Sequence, residues 1–101
     1  MAIINIPQWR PNPEQVKIRC TDIRHDMSPN EMVVQFKVNG NSYTLFVMPS
    51  MVNVEERTMD AMIIADLDDS GFLIDLPSET LTSGPRIQIS QKDAETVIIR
   101  G

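Results

Sequence analysis

The sequence predicts a mainly β domain, a small sandwich or barrel of six or seven short strands, and three observations predict it. Several short runs alternate apolar and polar residues with the period of a half-buried strand. Asn39-Gly40 sits between two runs rich in β-branched and aromatic residues. Clusters of Gly, Pro, Asn, Asp and Ser recur between the runs and supply the turns. The 101 residues and 42% apolar content fit a single domain over 1–101 with one core. An α+β fold, with one helix on a sheet, is the alternative.

In chain order, Pro7, Pro11 and Pro13 exclude a regular helix or a central strand, so 1–14 is read as an extended proline-rich N-terminal arm. Trp9 lies within it. It is expected to fold back and plug the core, as a buried aromatic usually pins a terminus; the other reading makes it an anchor on a neighbouring subunit. Val16-Lys17-Ile18-Arg19-Cys20 alternates as a strand. Ile23 then falls out of phase, which a bulge near Thr21-Asp22 would correct.

Asn-Gly provides the two positive φ angles of a type I′ turn. Placing Asn39 and Gly40 at the turn pairs Val38 with Asn41, Phe36 with Tyr43, Val34 with Leu45 and Met32 with Val47. One face is then continuously apolar. The other is polar near the turn (Gln35, Lys37, Ser42, Thr44) and apolar at its far end (Val33, Phe46, Met48), where the rest of the chain or a partner is expected to cover it.

Asn53 and Glu56 have capping-box spacing, and Val54, Thr58, Ala61, Met62 and Ala65 share a helical face, so a short helix is expected near 53–64. The alternation Ala61, Ile63, Ala65, Leu67 argues for a strand instead, from about Met62. Residues 72–76 and 86–90 read as strands around a loop, 91–95 as a turn and 96–100 as a final strand.

The net charge of −5 is concentrated: from Glu55 to Glu79 eight acids face the single base Arg57. That field disfavours nucleic acid as a partner. No run approaches the ~20 apolar residues of a transmembrane helix, and the N-terminus lacks the pattern of a signal peptide. The single cysteine forms no internal disulfide. The expected location is the cytoplasm, or the inside of a particle assembled there.

Asp66, Asp68 and Ser70, with Gly71 following, match the first half of a calcium loop. The match then fails, since position 12 is Pro77 and the flanks read as strands; the motif is read as a polar hairpin turn, with Asp66, Asp68 and Ser70 only weak calcium candidates. One histidine, His25, and one cysteine, Cys20, exclude a structural zinc site. The methionines around His25 follow no ligand spacing and read as core or interface fillers. Cys20 lies on the apolar side of its strand and His25 in a polar turn, so no nucleophile, base and orienting group converge. No glycine-rich phosphate loop occurs, and no cofactor is implied.

These features point to a non-enzymatic protein–protein interaction or accessory module, working through a protein partner or self-association. Trp9, Val33, Phe46, Met48 and Met51 are the candidate interface residues. An acidic decoy filling a basic groove through 55–79 is one alternative; a weak calcium-binding or small enzymatic domain is another.

Overall fold

The computed structural model describes residues 7–38, 40–67, 71–81 and 84–100. Mainly β structure is what these residues adopt: nine strands in two antiparallel sheets and one short helix. The first sheet runs β8 (Arg86–Ile89), β7 (Phe72–Asp75), β6 (Thr58–Asp66), β1 (Gln8–Arg19), β9 (Ile98–Arg100), with β5 (Val52–Asn53) also on β6. The second runs β2 (Asp22–His25), β3 (Met32–Val38), β4 (Asn41–Val47). Strands exceed the six or seven expected because the change of sheet after Arg19 adds β2 and because the two-residue β5 precedes the turn at 54–57.

The two sheets enclose one core. Val16 and Ile18 of β1, Met59, Ala61 and Ile63 of β6 and Ile74 of β7 meet Met32, Val34 and Phe36 of β3 and Leu45 and Val47 of β4. The β3–β4 hairpin has the register that the Asn39-Gly40 turn dictates, with Phe36 opposite Tyr43 and Val34 opposite Leu45. Gly40 carries φ +76°; Asn39 lies outside the described residues. The Phe36 and Tyr43 rings stack at 5.3 Å, a cross-strand pair that adds to burial.

The phase slip after Cys20 is a change of sheet, not a bulge. The Cys20 N–H donates to the Arg57 carbonyl beside the first sheet at 2.8 Å, and the next N–H, of Thr21, donates to Gln35 in the second at 2.8 Å. Successive N–H groups of extended backbone point to opposite sides, so adjacent residues can stitch the two sheets together. His25 thereby becomes the last residue of β2 rather than part of a turn.

Residues 54–57 form a tight turn between β5 and β6, not a helix. The Asn53 side chain does accept the Glu56 N–H, at 3.0 Å, as the spacing requires. Arg57 then adopts φ 56°, which reverses the chain into β6. A helix forms instead at α1 (Gln91–Val97), where a turn and the start of a strand were expected. Ser90 caps it, its hydroxyl accepting the Asp93 N–H at 3.2 Å, and Ala94 and Val97 pack on the core.

The proline-rich segment is accommodated by a bulge in β1. Trp9 pairs with Ala65 and Glu14 with Ile63, so residues 10–13 stand against Ile64 alone. Pro11 and Pro13, which cannot donate to a ladder, sit inside the bulge.

Gly71 is buried with φ +110°, and a Cβ there would come within 2.0 Å of the Ile89 carbonyl. Gly71→Ala is expected to destabilise the fold by about 3 kcal/mol through overlap and backbone strain. The Thr58 hydroxyl is buried without a hydrogen-bond partner among the described residues. Thr58→Val is therefore expected to leave stability unchanged or raise it by up to about 1 kcal/mol. Urea unfolding of both variants measures these opposite outcomes.

Candidate functional site

The outer face of the three-stranded sheet carries the most compact of the predicted sites. Strand register places Arg24, Val33 and Phe46 in one row across β2, β3 and β4. Asp22, Gln35 and Thr44 form the next row, tied by a Gln35 Nε2 to Thr44 Oγ1 hydrogen bond of 3.3 Å. The alternation that buries Val34 and Leu45 sends Val33 and Phe46 outward. Phe46 is 38% exposed and Met48, just beyond β4, 58%.

The chain covers the edge of this sheet but not its face. The Ser78 hydroxyl donates to the Phe46 carbonyl, Thr80 bridges Leu45, and the Leu81 N–H donates to Thr44 at 2.9 Å. Those bonds satisfy the backbone edge of β4, a liability if left open. The Met48 side chain stays mostly in solvent and the Phe46 ring partly so.

The other two interface candidates lie elsewhere. Met51 is half-buried and packs against the core. Trp9 does not plug the core: it is 56% exposed on the outer side of the larger sheet. The inner side of that sheet at this end is filled by Phe72 and by Ala94 and Val97 of α1. The Arg86 guanidinium lies 5.4 Å from the Trp9 ring centroid and 3.5 Å from Asp75. β1 and β8 are separated by β6 and β7, roughly 14 Å between outer strands, so both side chains must lie flat across the sheet to meet.

An ion-pair network that the sequence reading did not foresee closes the same end of the molecule. Arg10, projecting from the β1 bulge, donates to both Asp66 oxygens at 3.0 and 2.8 Å and to Glu14 at 2.7 Å. Arg100 of β9 donates twice to Glu14, at 2.8 and 2.6 Å. Phe72 lies beside both guanidiniums, 6.0 Å from Arg10 and 5.4 Å from Arg100. Hydrogen bonds from Arg100, and then from Arg10, hold the Glu14 carboxyl down at about 2 against its partial desolvation. The bidentate bond from Arg10 likewise lowers Asp66.

This network bears on the calcium motif. The Asp66 carboxylate is already engaged by Arg10, and Asp68 and Ser70 lie outside the described residues. Among the described residues no three His, Cys, Asp or Glu side chains gather as a metal site. The Cys20 thiol is buried, donates to the Ile18 carbonyl and is pushed up to about 12 by burial, so it resists ionisation. His25 is exposed on β2. The acids of 55–79 are dispersed, since the nine residues of β6, roughly 30 Å long, separate Glu55 and Glu56 from Asp66.

Comparisons with protein-family models, with characterised proteins and with solved structures find no match to this chain. Its own surface chemistry therefore carries the functional reading. Among the described residues no helix is long and apolar enough to cross a membrane.

A carboxyl held below its ordinary value stabilises the fold above that value and loses the contribution as pH falls through the folded-state one. For Glu14 the window runs from about 4.5 down to about 2. The stability gap between wild type and Glu14→Gln is expected to be full at pH 6 and to narrow steadily below pH 4.5, as followed by urea unfolding against pH. Cys20 is expected to react with a thiol reagent at pH 8 only at the rate of unfolding.

Proposed function

We propose that the chain is a non-enzymatic protein–protein interaction module, an accessory part of a larger assembly, and that it binds through the outer face of the three-stranded sheet. One observation carries this reading. Segment 78–81 seals the edge of β4 yet leaves Phe46 and Met48 exposed on the adjoining face, beside the half-buried Val33. An aromatic and a methionine beside a β-branched residue, rimmed by Arg24, Gln35 and Thr44, have the composition of an interface centre with a polar border. Singly exposed apolar residues such as Met27 and Val54 need no such explanation.

Rigidity supports the same reading. The face stands on a core of fully buried Val34, Phe36 and Leu45, so its side chains are pre-positioned and less ordering is lost on binding. Trp9 offers a separate contact on the opposite sheet, with its ring held by Arg86.

Phe46→Lys with Met48→Lys is expected to leave the fold intact, at a stability cost of about 1–2 kcal/mol, because Met48 is 58% exposed and Phe46, at 38%, keeps one side of its ring in solvent. Self-association or partner binding is expected to weaken at least about 100-fold, as for loss of a central aromatic anchor. Sedimentation and binding titrations measure this. Unchanged assembly with a stable fold would contradict the proposed interface, and loss of the fold would assign these residues to the core.

A further inference from the structure

A second, chemically different surface lies on the outer face of the larger sheet. β6 pairs with β5 at Thr58 and Met59 and with β7 from Met62 onward, so Asp60 and Ala61 have no strand on that side. Pro77 turns the chain away where β7 would otherwise continue alongside β6. The resulting groove, about 1050 Å³, passes from this gap across β6 and β1 to β9. Met51 and Pro77 flank the gap and Met62 lies on the floor. Glu56, Asp60 and Asp75 stand around them, against the one lining base, Lys17.

The existing ion pairs leave these carboxylates available. Lys17 reaches Glu56 only at 3.9 Å, and Arg86 reaches Asp75 at 3.5 Å, both on exposed side chains. Such pairs contribute little and exchange readily. Two methionines and a proline form a soft apolar wall that accepts an alkyl stem. The groove carries three carboxylates against Lys17, which stands opposite Asp60 in the β1–β6 register, so a cationic head carried on such a stem meets a net negative lining. Arginine and lysine have that build, with an aliphatic stem and a charged tip.

The geometry points to this groove as a docking site for a basic, amphipathic segment of a partner protein, one that inserts an arginine or lysine between Met51 and Pro77 while its apolar neighbours rest on Met62 and Ile99. The site is independent of the Val33–Phe46–Met48 face, which belongs to the other sheet. With both occupied, the domain would hold two partners on opposite sides of one core.

A fluorescein-labelled octapeptide of alternating arginine and leucine tests this, with a glutamate–leucine octapeptide and spermine as controls. Binding is read by anisotropy and by amide chemical shifts of the full chain. The arginine–leucine peptide is expected to bind, with shifts concentrated at Lys17, Asp60, Met62 and Ile99. Asp60→Lys is expected to weaken it at least about tenfold, whereas Glu79→Lys, an equal change in net charge away from the groove, changes it less than about threefold. Phe46→Lys is expected to have no effect, which separates this site from the proposed interface. No binding, equal losses in Asp60→Lys and Glu79→Lys, equal binding of the acidic peptide, or equally tight binding of spermine would each overturn the inference. If Asp60→Lys fails to fold, shifts spread over all surface acids in the wild type would overturn it instead.

Discussion

Two adjacent backbone N–H groups, those of Cys20 and Thr21, bond to different sheets, and the architecture depends on that step. Before it the chain belongs to a large sheet centred on β6; after it, to a three-stranded sheet that closes over the same core. The side chains flanking the step show the change of partner. Ile18 and Cys20 are buried beneath the first sheet, and Ile23 packs on the core from the second. Burying Cys20 follows directly: its thiol sits where the sheets come together, with its S–H turned to the Ile18 carbonyl. The residue most inviting as a nucleophile in the sequence is thereby a structural one.

Because both sheets share one core, their outer faces are held rigidly on opposite sides, and the two differ in chemistry. The small sheet presents Val33, Phe46 and Met48 within a polar border. The large sheet presents Trp9 held by Arg86, and a methionine-lined groove among carboxylates. The Arg10–Asp66–Glu14–Arg100 network fastens the β1 bulge to β6 and β9, and so fixes the proline-rich segment without making it part of the core. Partial exposure of these side chains makes the network a modest contributor to stability, more useful for setting the position of the bulge than for holding the fold together.

What could be read from the sequence was local. The β3–β4 hairpin was legible to the residue, because Asn39-Gly40 and strict alternation fix both register and facing together. Phe46 and Met48 followed as outward residues from the same rule. The region 53–64 misled because Asn53 with Glu56 begins a helix or a tight turn equally well; Arg57 at positive φ decides it, and no residue type there announces that conformation. The helix at Gln91–Val97 was hidden by its length of seven residues and by the apolar run Val97-Ile98-Ile99 that follows. Ser90 with Asp93 was its available signal. Trp9 and the arginine network depended on contacts between distant segments: Arg10 meets Asp66 and Glu14 meets Arg100 only once the strand order is known.

The two sheets form one cooperative body joined at Cys20–Thr21, which holds the two outer faces opposite each other. Amide hydrogen exchange at single-residue resolution tests it most directly. The Cys20 and Thr21 amides are expected to exchange only through global unfolding, with the same free energy as Phe36 in one sheet and Ile63 in the other. Thr21 and the β3 amides opening together well below the free energy of Ile63 would show the small sheet detaching as its own unit, and would contradict the shared core.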